Sequence, residues 1–147
     1  MSYRTIKIKK YSDVIEEEVA HAAITPGMLV EYRTDGKVQA HSGVQENAIP
    51  MFALEDELQG KTISDAYAEN APVQVWVAGR GDIAYGILVT GQNVTAGTWL
   101  VSNGDGKLKA AASPASAGDV DPEELVGIAV AAVNASAADA RILVRIK

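Results

Sequence analysis

The chain has 147 residues, 48% hydrophobic, 22% charged and only 5% aromatic, which suits one compact domain able to bury about two-thirds of its unfolded surface without a staple. It holds no cysteine, and no apolar run approaches the roughly 20 residues that cross a bilayer, so disulfide scaffolds, thiolate zinc sites, iron–sulfur clusters, cysteine nucleophiles and membrane-spanning helices are excluded. The net charge of −6 is uneven: residues 1–10 carry Arg4, Lys7, Lys9 and Lys10 with no acid, leaving 9 of the 13 basic residues against 19 acids in the rest, a balance of −10.

An acidic body repels phosphate backbones and argues against general DNA or RNA binding. The opening MSYRTIKIKK has no apolar secretory core, so the expected compartment is a reducing cytoplasm or a particle assembled there.

Short runs with period two, punctuated by Gly, Asn, Asp and Pro, predict strands joined by tight turns. Arg4 to Lys9 alternates, with Ile6 and Ile8 on one face and Lys7 and Lys9 on the other. Ser12 to Ala22, with Glu16-Glu17-Glu18, reads either as a capped helix or as an extended linker. Met28 to Arg33 and Lys37 to His41 flank a Thr-Asp-Gly-Lys hairpin turn, where glycine accepts a positive φ. Ile49 to Leu54 follows as a short apolar strand with Pro50 near its start.

Pro72 to Ala78 puts Val73, Val75 and Val77 on one face and Gln74 and Trp76 on the other. Ile83 to Thr90 is a strand broken by Gly86, and Thr98 to Ser102 turns through Asn103-Gly104-Asp105-Gly106 into Lys107 to Lys109. Ala110 to Gly118 is a low-complexity loop, and Asp121 to Leu125 has Pro122 placed for one helical turn. Val126 to Val133 reads as a strand buried on both faces. Arg141 to Lys147 turns Ile142, Val144 and Ile146 inward. The expected fold is mainly β, a small antiparallel β-barrel or sandwich over residues 24–147, preceded by an extended N-terminal arm and linker over residues 1–23.

No catalytic constellation stands out. His41 beside Ser42 lacks a Gly-x-Ser-x-Gly elbow, and strand neighbours point to opposite faces. His21 and His41 belong to no carboxylate cluster with metal-ligand spacing, so neither a metal nor a cofactor is expected. The acidic run from Asp119 to Glu124 lacks the ordered oxygens and central glycine of a calcium loop. Arg80-Gly81-Asp82 spells an adhesion tripeptide but reads as a turn between strands, and the glycosylation patterns at Asn93 and Asn134 read as polar loops. Should the valine face of Pro72 to Ala78 be the core, Trp76 becomes a candidate subunit-interface residue, because Trp is enriched at interfaces.

The order of several segments resembles the head decoration, or capsid cement, proteins of tailed bacteriophages. These are Ile24-Thr25-Pro26-Gly27-Met28-Leu29-Val30, Phe52-Ala53-Leu54-Glu55 with Ile63-Ser64-Asp65-Ala66-Tyr67, and Pro72 to Val75 with Gly81 to Tyr85. Val94 to Leu100 with Gly106-Lys107-Leu108, Val126 to Ala129, and Arg141 to Ile146 continue the likeness to the end.

The resemblance implies a β-tulip-like, non-enzymatic homotrimer on the outer surface of an expanded phage head, made in the host cytoplasm. Its partner would be the major capsid protein, with no nucleic acid, membrane or small-molecule substrate. The basic arm is the expected contact: Tyr3, Arg4, Ile6, Lys7, Ile8, Lys9 and Lys10 would add as a strand to the coat or a neighbouring copy, so that removing residues 1–10 leaves a folded trimer that no longer binds heads tightly. The rival readings are a phage tail, baseplate or coat component, and a carbohydrate-binding β module, for which the chain has few aromatics to spare.

Overall fold

The computed structural model describes residues 2–11, 13–112 and 121–147, so most of the low-complexity loop, and Asp119 with Val120, lie outside the described residues. Thirteen strands run through the rest: β1 (Lys7–Lys9), β2 (Val14–Val19), β3 (Val30–Tyr32), β4 (Val38–Ala40), β5 (Met51–Ala53), β6 (Pro72–Val77), β7 (Ile83–Leu88), β8 (Asn93–Val94), β9 (Trp99–Ser102), β10 (Leu108–Ala110), β11 (Leu125–Ala129), β12 (Val133–Asn134) and β13 (Ala140–Ile146). The helical elements among the described residues are two single 3-10 turns, Glu57–Gln59 and Pro122–Glu124. In the second, Pro122 opens the turn, as the sequence predicts, and the Asp121 carboxylate accepts from the Glu123 amide.

Five strands close a barrel in the order β7-β10-β9-β11-β13 and back to β7. Its pairings are antiparallel except β10 with β7, which run parallel and meet at Leu108 and Leu88. Because β10 covers only the far end of that β7 edge, β1 covers the near end, pairing Lys7 with Ala84 and Lys9 with Ile83. A second sheet has the order β2-β6-β5, β3 pairs with β4, and β8 pairs with β12. The fold is therefore mainly β with a small barrel, as expected. The boundary expected near Ile24 has no counterpart in the pairing, since β1 joins the barrel sheet and β2 pairs with β6 along all six residues.

Glycines fix the geometry where the chain passes close to itself. Gly86 faces into the barrel, and a Cβ there would stand 3.1 Å from Leu108 Cδ1 and 3.8 Å from Phe52 Cε1. It makes room for Leu108 rather than breaking the strand. Gly27 holds φ at +93°, and a Cβ would stand 2.8 Å from the Tyr85 carbonyl. Arg141 ties this turn to β13 by donating to the carbonyls of Pro26 at 2.7 Å and Ile63 at 2.8 Å.

Two hydrophobic clusters share the β2-β6-β5 sheet. Phe52 and Trp76 belong to the barrel cluster with Leu88, Leu100 and Leu108, while Met51, Ala53, Val73 and Val75 belong to a second cluster with Ile24 and Val30. The sheet is thus buried on both faces at its centre, which corrects the expectation for Trp76. The indole is fully buried beneath the barrel strands and takes no part in any surface. The strand at Val126 errs the other way: Val126 and Ala129 face in, but Ile128 is half-buried and Val130 exposed, because a barrel wall covers its strands on one side only.

Candidate functional site

The arm reaches the surface only in part. Ile6 is fully buried in the barrel cluster, where its amide donates to Glu55 Oε2 at 3.1 Å and its carbonyl accepts from the Tyr85 amide at 2.9 Å. Tyr3 packs edge-on against Tyr85, ring centroids 5.3 Å apart at 80°. Ile8 is half-buried against the same cluster. The sequence alternation is correct about which residues are apolar-facing, but their pocket is in the chain's own fold, on β7, rather than in a partner. That corrects the picture of a free arm in the single chain.

The outward side of the arm is cationic. Arg4, Lys9 and Lys10 are exposed and Lys7 is half-buried. Lys10 and Lys7 donate to Asp13 at 2.6 and 3.0 Å and hold its carboxyl below the usual carboxylate range. Lys9 lies 5.6 Å over the Tyr11 ring, and Arg4 forms no ion pair among the described residues.

Beside the arm, Arg80-Gly81-Asp82 is a turn and not a presented adhesion loop. Asp82 is fully buried, and its carboxylate accepts from the Tyr11 amide at 2.6 Å and the Gly79 amide at 2.7 Å. It fastens the end of the arm to the entry of β7. Asp82→Ala strands both amides and is expected to cost about 2–4 kcal/mol in urea unfolding, whereas exposed Arg80→Ala should stay within about 0.5 kcal/mol. Equal effects would refute this role for the carboxylate.

His41 is the one histidine with a chemical-looking neighbourhood. Nδ1 lies 2.8 Å from Ser102 Oγ and Nε2 lies 3.1 Å from the Asn47 carbonyl. A carbonyl only accepts, so Nε2 carries the ring proton, and in the neutral ring Nδ1 accepts a hydrogen bond from the Ser102 hydroxyl. Ser102 Oγ also accepts from the Gly104 amide, at 3.1 Å, and both side chains are buried. This is a structural clamp between the end of β4 and β9: the hydroxyl has no path to a substrate.

Ser42, the neighbour singled out in the sequence, donates to Glu31 at 2.6 Å instead. Burial opposes ionisation of Glu31, but hydrogen bonds from Ser42 and Gln39 outweigh it and hold the carboxyl below its usual range. Among the described residues no three His, Asp or Glu side chains gather as a metal site.

Tyr32 and Tyr67 are two of five tyrosines, and both are pushed up to about 12, Tyr32 by its hydrogen bond to Glu18 and Tyr67 by burial. A phenol whose pKa rises on folding contributes stability that is present below about 10 and lost as pH climbs toward the folded value. Spectrophotometric titration should therefore find two phenols ionising late in the native protein, and Tyr67→Phe should remove one of them.

The exposed tryptophan is Trp99, opposite half-buried Ile128 on the barrel wall. The sequence carries a weak signal for it, since Trp99 follows the Ala-Gly-Thr turn at the strand's first position while Leu100 is the residue that enters the core. A groove of about 460 Å³ opens elsewhere, over Ile49, Pro50 and Leu125, with Arg80 and Lys147 at its rim. It pairs no acid with a base or nucleophile in reacting geometry.

No family model and no curated protein matches this chain. Among solved structures it is similar to the head fiber gp8.5 N base of bacteriophage phi29, with a TM-score of 0.60 and 14% identity. The match covers 92% of this chain and 95% of that one. At this identity the likeness is one of fold.

Proposed function

We propose that this chain is a structural component of a phage head that attaches to the outside of the expanded shell, as a homotrimer, and holds neighbouring major capsid proteins together against the pressure of packaged DNA. The observation that carries the reading is the fold likeness to a head fiber base along 92% of the chain. The sealing of His41 and Ser102 inside the body fits a protein whose product is a contact.

A ligand that binds only the expanded shell stabilises that state by its differential affinity. Standard contacts bury about 1,600 Å² in total, and repetition over a lattice converts modest contacts into a tight coat. With Ile6 held at home, the contact falls to the cationic side of the arm. Arg4, Lys7, Lys9 and Lys10 face outward there and suit a carboxylate-rich patch on the shell.

The test is co-sedimentation with purified expanded heads and with unexpanded procapsids. Binding to expanded heads alone, saturating at a fixed ratio and raising the temperature at which they rupture, is the expected result. Arg4→Glu with Lys9→Glu should weaken binding roughly tenfold and flatten its salt dependence, because both groups are exposed. Solution mass should be three times the 15.4 kDa of one chain. No binding to heads, or equal binding to both shells, overturns the reading.

A further inference from the structure

The outer edge of β2 is regular and is open from Val14 to Glu18. All six residues from Val14 to Val19 pair with β6 in unbroken register, from Val14 opposite Val77 to Val19 opposite Pro72. From Val14 to Glu18 no other strand pairs with this side among the described residues. Beyond Glu18, β4 closes the edge: Ala20 bridges Val38 in parallel, and the His21 amide donates to the Val38 carbonyl at 2.8 Å. Val14, Ile15 and Val19 are 48%, 38% and 42% exposed. The strand has neither a proline nor a bulge, two of the common devices that blunt such an edge.

What guards it is charge, and the charge is specific. Two copies meeting antiparallel about the strand's centre would set Glu16 of one opposite Glu17 of the other, twice over, with Glu18 alongside. Like charges directly opposite one another are destabilising, so the edge rejects itself. The same carboxylates favour a strand of opposite sign.

We infer that the outer edge of β2 from Val14 to Glu18 accepts an extended, lysine- or arginine-rich strand of another protein, which adds as a fourth strand to the β2-β6-β5 sheet. Main-chain hydrogen bonds would supply the affinity and alternate side chains the selectivity. Ile15, Glu17 and Val19 share one face of β2, and Val14, Glu16 and Glu18 the other, so each face sets apolar beside acidic. A matching strand therefore mixes basic and β-branched residues on both of its faces.

Glu17 accepts from Gln74 at 3.0 Å and Glu18 from the Tyr32 hydroxyl at 2.6 Å, while Glu16 makes no hydrogen bond among the described residues. On the Ile15 face, a groove sets Ile15 and exposed Leu58 beside Glu55, Asp56 and Glu57, with Lys7 also in its lining, so apolar and acidic groups meet there as well. The inference concerns the chemistry of the strand and does not depend on the head reading.

The probe is a synthetic peptide of residues 3–10, which carries four cations around Ile6 and Ile8, titrated into the full-length ¹⁵N-labelled protein. Saturable shifts and slowed amide exchange confined to Val14–Val19 and neighbouring β6 are expected. Affinity should fall with salt. It should drop about tenfold with Glu16→Lys, Glu17→Lys and Glu18→Lys combined, and by less in the corresponding Gln triple, which guards against a folding defect. A peptide with its four cations replaced by Glu should not bind. The inference is overturned by no saturable binding, by shifts centred on Ile83 and Ala84 because the peptide displaces the arm, or by self-association of the free protein through β2.

Discussion

Trp76→Ala is expected to cost about 3–5 kcal/mol of folding stability. The indole is fully buried, lies opposite Phe52 across the β5–β6 pair, and belongs to the cluster that also holds Leu88, Leu100 and Leu108. Removing it leaves a cavity that neither the closed barrel nor a sheet buried on both faces can collapse to fill. Domains of this size are stable by only about 5–15 kcal/mol, so one substitution removes a large share.

Its Nε1 proton finds no partner among the described residues, so the contribution is apolar burial and packing, offset by the desolvated donor. Trp76→Phe keeps most of the apolar bulk and deletes that donor, and is expected to cost about 1–2 kcal/mol, well under the alanine value. Trp99→Ala, on the barrel's outside, should stay within about 1 kcal/mol. Urea midpoints at unchanged m-value give all three numbers. An alanine at Trp76 no worse than one at Trp99 would show that the indole is not a core residue.

The same strand shows how far sequence pattern reaches. The alternation in Pro72 to Ala78 correctly separates Val73 and Val75 from Trp76, because side chains on a strand point to opposite faces. Whether the second face meets solvent, a partner or another layer depends on what the rest of the chain lays against it. Here the barrel strands cover it. β13 was fully legible because one of its faces looks into the barrel and the other does not, giving a burial rhythm that matches its residue rhythm.

β2 was illegible for the opposite reason. Three consecutive glutamates favour a helix locally, and only pairing with β6 along the whole strand overrides that preference. The hairpin turns at Gly36 and Gly104, each with positive φ, were written in the residues themselves. The candidate site divides likewise: the cationic side of the arm is visible in the charges of residues 4–10, whereas the seat of Ile6 on β7 needed the gap left by short β10.

That seat makes the second large effect. Deleting residues 1–10 is expected to destabilise the body by more than the roughly 2–4 kcal/mol that Ile6→Ala costs alone. The deletion empties the fully buried site of Ile6, takes away the Tyr3 edge contact with Tyr85, removes the strand that covers Ile83 and Ala84, and deprives the Tyr85 amide of its acceptor and Glu55 of its donor. It also bares the near end of the β7 edge at Ile83 and Ala84, which invites aggregation. Truncation therefore tests the fold before it tests attachment, and a truncated chain that fails to hold heads says little by itself. Arg4→Ala and Lys9→Ala separate the two: both side chains are exposed, so each should leave the urea midpoint within about 0.5 kcal/mol of stability while lowering head binding. A truncated chain that melts with the full-length protein would refute the docking of Ile6. A double alanine that melts normally and binds heads undiminished would move the contact away from the arm.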